Sequence, residues 1–191
     1  ADTATADSMR LLVPDWAWDY INCPVAPAEL VQWLQERPPL WLRVQKGLPA
    51  KVIDALKSEE LEVKQHPTLP NALYLQRARV NLYTLQPFRD GAFEVQDLAS
   101  QLIGHVCQPQ PGERWWDACA GAGGKSLHLA ALMQEKGTVV ATDIRGYKLD
   151  DLKKRARRAG IPNITCKPWD GRRLRPRQAT FDGILVDSPR T

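Results

Sequence analysis

The sequence contains no long apolar run, no paired cysteines and no clustered histidines. None of its 191 residues fall in a stretch apolar enough to span a bilayer, and the first twenty lack the basic start of a signal peptide. The four cysteines form no C-x-x-C pair, which argues against both a disulfide framework and a zinc site. The three histidines lie too far apart for a metal site. We therefore expect a cytoplasmic protein without membrane or metal partners.

Positive charge is concentrated near the carboxyl end. Residues 1–144 contain 13 Lys and Arg against 17 Asp and Glu, whereas residues 145–191 contain 13 against 5. A basic segment of this kind favours a polyanionic substrate, because phosphate contacts dominate affinity for nucleic acids. The basic residues of 146–159 can equally be the solvent face of a helix. The better candidates for RNA contact are the later arginines Arg172, Arg173, Arg175 and Arg177.

Two patterns of secondary structure divide the chain. Helices are predicted over 27–37, with Leu30, Val31 and Leu34 inward, and over 50–57; strands are predicted over 40–44, 61–64 and 72–75. These elements indicate a small α+β module. After a short strand at 91–96 and a helix with Leu98, Leu102, Ile103 and Val106 inward, strands at 114–118, 137–142, 163–167 and 181–187 alternate with helices at 124–135 and 146–159. Such alternation predicts a parallel sheet with helices on both faces.

The segment from Asp117 to Ser126 joins a buried strand to a helix through a turn that has almost no side chains. Unpaired N–H groups at a helix N-terminus can bind a ligand, and small residues let the ligand come close. A second strand ends in Asp143, at the distance expected for an acid that binds a ribose diol. The pattern indicates a site for a nucleoside cofactor.

Three ligands compete for this turn. The phosphate-binding pattern G-x-x-x-x-G-K-[ST] requires glycine where Cys119 stands, and the dinucleotide pattern G-x-G-x-x-G requires glycine at Ser126. An acid at Asp117 also disfavours a pyrophosphate, whereas the positive sulfonium of S-adenosylmethionine tolerates it. A tight turn with no ligand is the remaining alternative.

Four acids stand at or just after predicted strand ends: Asp117, Asp143, Asp170 and Asp187. Because ligands of parallel α/β sheets bind at the carboxyl ends of strands, we expect these acids at one edge of the sheet. Each of them alone could instead be a helix cap.

Three motifs resemble the RsmB/Nop/Sun family of RNA cytosine-5 methyltransferases. Residues 117–125, DACAGAGGK, resemble its D-x-C-A-A-P-G-G-K loop, with Ala122 in place of the usual proline. Residues 91–100, GAFEVQDLAS, look like its lead-in G-x-F-x-V-Q-D-x-A-S, and residues 37–44, RPPLWLRV, are similar to the P-P-x-x-L-R-V-N start of its small RNA-recognition-like module.

This resemblance implies an α/β fold: a Rossmann-like class I methyltransferase sheet preceded by that α+β module. The implied domains are a leader at 1–24, the module at 25–88 and the cofactor domain at 89–191, cut short after its fourth strand. S-adenosylmethionine would lie along Cys119, Ala120, Gly121, Ala122, Gly123, Gly124 and Lys125. Asp143 would bind the ribose, Asp170 the adenine end, and Asp187 would lie beside the methyl group and the target base.

The resemblance also implies a chemistry that lacks one participant here. The family adds a cysteine thiolate to carbon 6 of cytosine, and carbon 5 then takes the methyl group. Its D-A-P-C motif corresponds to Asp187-Ser188-Pro189-Arg190, so arginine stands where the first of two cysteines is expected, and Cys119 would line the cofactor. We expect part of a longer, active, monomeric enzyme whose substrate is RNA, ribosomal rather than transfer RNA. The alternatives are an RNA-binding protein without turnover and a methyltransferase for another substrate.

Overall fold

The structure, a computed structural model, describes residues 12–36, 38–76, 80–172 and 180–188 and divides the chain into two units at residues 38 and 39. The described part of the first unit holds helices α1 (Asp15–Trp18) and α2 (Pro27–Gln35). Helix α2 begins with proline, whose fixed φ suits the first helical position. Of its predicted apolar face, Val31 is buried but Leu34 is exposed.

An antiparallel sheet opens the second unit. Its strands are β1 (Leu40–Val44), β2 (Val63–Gln65), β3 (Ala72–Leu75) and β4 (Phe93–Val95), in the order β2-β3-β1-β4. Helices α3 (Pro49–Lys57) and α4 (Gln86–Arg89) accompany it. Strand β4 pairs with β1, so this sheet takes residues from both sides of the domain boundary predicted at residue 88. The division into domains stays a prediction.

The second sheet is parallel throughout, as the alternation of strands and helices predicts. It contains β5 (Arg114–Asp117), β6 (Thr138–Asp143), β7 (Ile164–Pro168) and β8 (Gly183–Leu185), in the order β7-β6-β5-β8. Helices α5 (Leu98–Cys107), α6 (Gly124–Leu132) and α7 (Gly146–Ala159) complete the described part. The parallel pairing brings the carboxyl ends of all four strands to one edge.

Helix α5 follows its predicted orientation only in part, because Ile103 packs against the core and Leu98 is half-buried. Leu102 and Val106 are exposed, and the buried positions are Gln101 and Gly104. A Cβ atom at position 104 would lie 2.7 Å from Cε1 of His128, so only glycine allows α5 to pack closely against α6. Gln101 is buried without penalty because its Nε2 donates to the Gln96 carbonyl over 2.9 Å. The prediction from apolar spacing alone is therefore wrong for Leu102 and Val106.

Helix α7 follows its predicted apolar pattern, since Leu149, Leu152 and Ala156 are buried. Its basic residues do not all face solvent, because Arg155 and Arg158 pair with the buried Glu94 of β4. Of the later arginines, Arg172 is exposed. Residues 173–179, which include the other three, lie outside the described residues.

Candidate cofactor site

The loop between β5 and α6, residues 118–123, lies at the carboxyl edge of the parallel sheet. Backbone hydrogen bonds tie it to both neighbouring strands: Ala118 N–H donates to the Leu185 carbonyl over 2.9 Å, and Ala120 N–H donates to the Thr142 carbonyl over 2.8 Å. Gly123 N–H closes the turn on the Ala120 carbonyl. The loop is therefore a fixed part of the sheet edge.

Two glycines in this loop have positive φ for different reasons. Gly121 has φ +53° and Gly123 has φ +85°, which are left-handed values that other L residues adopt at a cost. A Cβ atom at Gly123 would lie 2.7 Å from Leu152 Cδ1, so this glycine permits close packing on α7. A Cβ atom at Gly121 would meet nothing within 4 Å. The backbone at Gly121 is thus open to a ligand.

Asp143 ends β6 beside that open backbone and is 3% exposed. Its Oδ2 accepts from Gly121 N–H over 2.9 Å, and its Oδ1 accepts from Arg145 N–H over 2.8 Å and Arg145 Nε over 3.0 Å. Burial opposes ionisation, but hydrogen bonds from Arg145 and Gly121 outweigh it and lower the pKa of Asp143. The acid is where a ribose-binding carboxylate is predicted, although its role in binding stays a prediction.

Asp117 is buried at the end of β5 and is not exposed at the entrance of the loop. Its Oδ2 accepts from Ser126 Oγ over 2.6 Å, which joins the end of β5 to the first turn of α6. Burial raises the pKa of Asp117 to about 6, against the opposing effects of Ser126 and Lys125.

The other two predicted acids are more exposed. Asp187 Oδ2 lies 2.6 Å from Lys125 Nζ, which brings together two residues that the sequence assigns to the cofactor. Asp170 accepts from Arg172 N–H over 3.0 Å and is exposed. It does not line the cavity described next, although both of its neighbours do.

A cavity of about 130 Å³ opens beside the loop. It is lined by Ala118, Cys119, Asp143, Ile144, Arg145, Trp169 and Gly171. Apolar side chains next to a carboxylate suit a nucleoside, whose base is flat and whose sugar donates hydrogen bonds. The sequence analysis missed Ile144, Arg145 and Trp169, although each lies within two residues of a predicted acid.

Cys119 has the character of a lining residue. Burial, Asp117 and Asp143, in that order, raise the pKa of its thiol and so disfavour the thiolate. Burial likewise raises the pKa of Cys107 and of Cys166. These three thiols lack the activation that a nucleophilic cysteine requires.

Within the described ranges, no helix combines the length and apolar character needed to cross a membrane. The same described residues contain no group of three or more His, Cys, Asp or Glu side chains able to hold a metal ion.

Residues 105–191 match the family described as 16S rRNA methyltransferase RsmB/F. A Bacillus subtilis relative named probable ribosomal RNA small subunit methyltransferase B is 31% identical over 183 residues. That alignment covers 93% of this chain and 40% of the relative, so the chain spans less than half the length of the curated relatives it matches. The predicted resemblance is confirmed, and so is S-adenosylmethionine as the cofactor of the RsmB/F family.

Solved structures confirm the Rossmann-like fold. A methyltransferase homologue from Pyrococcus horikoshii superimposes with a TM-score of 0.85 at 21% identity, covering 99% of this chain and 64% of that one. The NSun6 protein of Pyrococcus horikoshii, solved with SFG, gives a TM-score of 0.77 at 18% identity and covers 98% and 70% of the two chains. At these identities the likeness shows the fold alone.

Proposed function

We propose that the full-length protein containing this chain transfers a methyl group from S-adenosylmethionine to carbon 5 of a cytosine in ribosomal RNA. The observation that carries the proposal is the open backbone at Gly121 beside the ionised Asp143, within a stretch that matches the RsmB/F family. We further propose that the protein is a cytoplasmic monomer, which sedimentation of the purified full-length protein tests for the oligomeric state.

The residues present fit S-adenosylmethionine, which supplies an electrophilic methyl group when bound. The loop from Cys119 to Lys125 would contact it mainly through backbone, and Asp143 would accept hydrogen bonds from the ribose. Ile144 and Trp169 would enclose the base, with Asp170 at its outer end. Lys125, whose Nζ lies 2.6 Å from Asp187 Oδ2, would hold this carboxylate beside the methyl group and the target base.

We expect the attacking thiolate to come from a cysteine other than Cys107, Cys119 and Cys166, because burial raises the pKa of these three thiols. Attack on carbon 6 makes carbon 5 nucleophilic, and carbon 5 then takes the methyl group. A base removes the carbon-5 proton, and the thiolate leaves carbon 6 as the double bond of the ring forms again. Arg190, at the position of the family's first cysteine, lies outside the described residues. The test therefore needs the full-length protein and must identify the nucleophile directly.

Calorimetry and covalent trapping test the proposal together. We expect the full-length protein to bind S-adenosylhomocysteine, to methylate small-subunit ribosomal RNA, and to form a covalent adduct with RNA containing 5-fluorocytosine. Peptide mapping of the adduct identifies the cysteine. Binding of NAD or ATP in place of S-adenosylhomocysteine would refute the proposal. Binding of RNA and cofactor without methyl transfer would favour the non-catalytic alternative.

A further inference from the structure

We propose that Arg155 is a positioning residue for the cofactor loop and that Glu94 of the antiparallel sheet holds it in place. The inference deepens the proposed function and rests on it for the identity of the ligand. It makes the first sheet a structural component of the cofactor site, in addition to any part that this sheet has in binding RNA.

The guanidinium of Arg155 contacts two different parts of the protein with its two sides. Nη1 donates to the Ala122 carbonyl in the cofactor loop over 2.9 Å. Nε and Nη2 both donate to Glu94 Oε2, over 3.2 and 2.9 Å. Because the group is planar and rigid, fixing one side on Glu94 fixes the direction of the other. Through Arg155, the position of the loop therefore depends on the position of β4.

Glu94 is anchored independently of the loop. It is 2% exposed and lies opposite Arg43 in the pairing of β4 with β1. Its Oε1 accepts from Arg158, whose guanidinium stacks on the Phe88 ring 3.8 Å from the ring centre. A buried carboxylate requires such partners, and two arginines with a rigid strand leave Glu94 little freedom.

A second arginine, Arg43 of strand β1, contacts the first residue of α6 at the end of this loop. Arg43 is 1% exposed; its Nε donates to Gln96 Oε1 over 2.6 Å, and its Nη2 reaches the Gly124 carbonyl at 3.5 Å. The carbonyls of residues 122 and 124 thus both face cationic groups fixed on the antiparallel sheet. These contacts flank Gly123, the left-handed residue on which the shape of the turn depends.

Arg155 and Arg158 form a matched pair for the experiment. Both lie on α7, both pair with Glu94 and they are similarly buried, but only Arg155 donates to the cofactor loop. In the full-length protein, Arg155→Met removes the loop contact and leaves Arg158 on Glu94. Arg158→Met removes the other ion pair and leaves the loop contact. Arg155→Lys keeps the positive charge but lacks the two-sided planar group.

Two measurements separate positioning from stability. Hydrogen exchange of the amides at 121–124, measured without ligand, is expected to be at least tenfold faster in Arg155→Met and unchanged within twofold in Arg158→Met. The dissociation constant for S-adenosylhomocysteine is expected to rise at least tenfold in Arg155→Met, to stay within threefold in Arg158→Met, and to be restored only in part by Arg155→Lys.

Equal effects of the two methionine variants on loop exchange and on affinity would overturn the inference. Wild-type exchange rates together with wild-type affinity in Arg155→Lys would also overturn it. The exchange arm uses no ligand. If the wild-type protein fails to bind S-adenosylhomocysteine, the proposed function fails while the exchange result still decides whether Arg155 orders the loop.

Discussion

Alanine at each of the two loop glycines separates folding from ligand binding. Both residues have left-handed backbone, so each substitution carries a conformational cost of roughly 1 kcal/mol. At Gly123 the new methyl also overlaps Leu152, with Cδ1 at 2.7 Å and Cβ at 3.0 Å. Overpacking of a core adds about 1–3 kcal/mol. Gly123→Ala is therefore expected to lower the free energy of unfolding by roughly 2–4 kcal/mol.

Gly121→Ala has the opposite profile. Its methyl meets no protein atom within 4 Å, so the free energy of unfolding is expected to fall by only about 1 kcal/mol. The same methyl would fill open space at a residue whose N–H donates to Asp143, next to the proposed ribose site, and we expect at least a tenfold loss of affinity for S-adenosylhomocysteine.

Urea denaturation and calorimetry on the full-length protein measure the two quantities, with the wild type as reference. The reasoning fails if Gly121→Ala binds S-adenosylhomocysteine as tightly as the wild type. It also fails if Gly123→Ala is no less stable than Gly121→Ala, because the two then differ in no way that the packing explains.

Three further changes address the carboxylates and the α5–α6 contact. Asp143→Asn replaces the charged acceptor proposed for the ribose hydroxyls by a neutral amide. A hydrogen bond to a charged group contributes about 1.5–3 kcal/mol, so calorimetry should show affinity for S-adenosylhomocysteine reduced about 10- to 100-fold. Asp117 has a folded pKa of about 6, above its unfolded value, so the folded protein binds the extra proton and wild-type stability falls as pH rises from about 4 to 6. Asp117→Asn should remove up to about 3 kcal/mol of that fall, and parallel slopes for the two proteins in pH-dependent denaturation would contradict the reasoning. Gly104→Ala should lower the thermal midpoint because its Cβ overlaps His128, and an unchanged midpoint in calorimetric scans would show that α5 can shift away.

The parallel sheet follows from local sequence, since each strand is a short apolar run and each helix has its own 3.6-residue pattern. The α7 stripe of Leu149, Leu152 and Ala156 is an example, because it depends on residues within a single helix. The orientation of α5 could not be predicted in this way. It depends on Gly104 meeting His128, a contact between residues distant in the sequence, and on a glutamine whose amide is satisfied internally.

The candidate site also has a part that the sequence predicts and a part that it does not. The small-residue loop and Asp143 are visible as a motif, because ligand access and backbone conformation restrict residue type locally. The roles of Arg155 and Glu94 are not visible, because on a helical pattern Arg155 looks like any other basic residue on the solvent side. Only the packing of α7 near β4 distinguishes it from Lys154, which has an exposed partner one turn away.

Because Arg145 already pairs with Asp143, the proposed binding of a ribose would exchange one hydrogen-bond donor to this carboxylate for another. The carboxylate already pairs with a cationic donor from its own chain, so a ribose hydroxyl that binds there as proposed would share or replace that partner. Measured affinity then reports the difference between two partners competing for one acceptor. Shortening the Arg145 side chain would remove this competing donor from the carboxylate. Asp143 and the Gly121 amide alone would then distinguish a ribose diol from water.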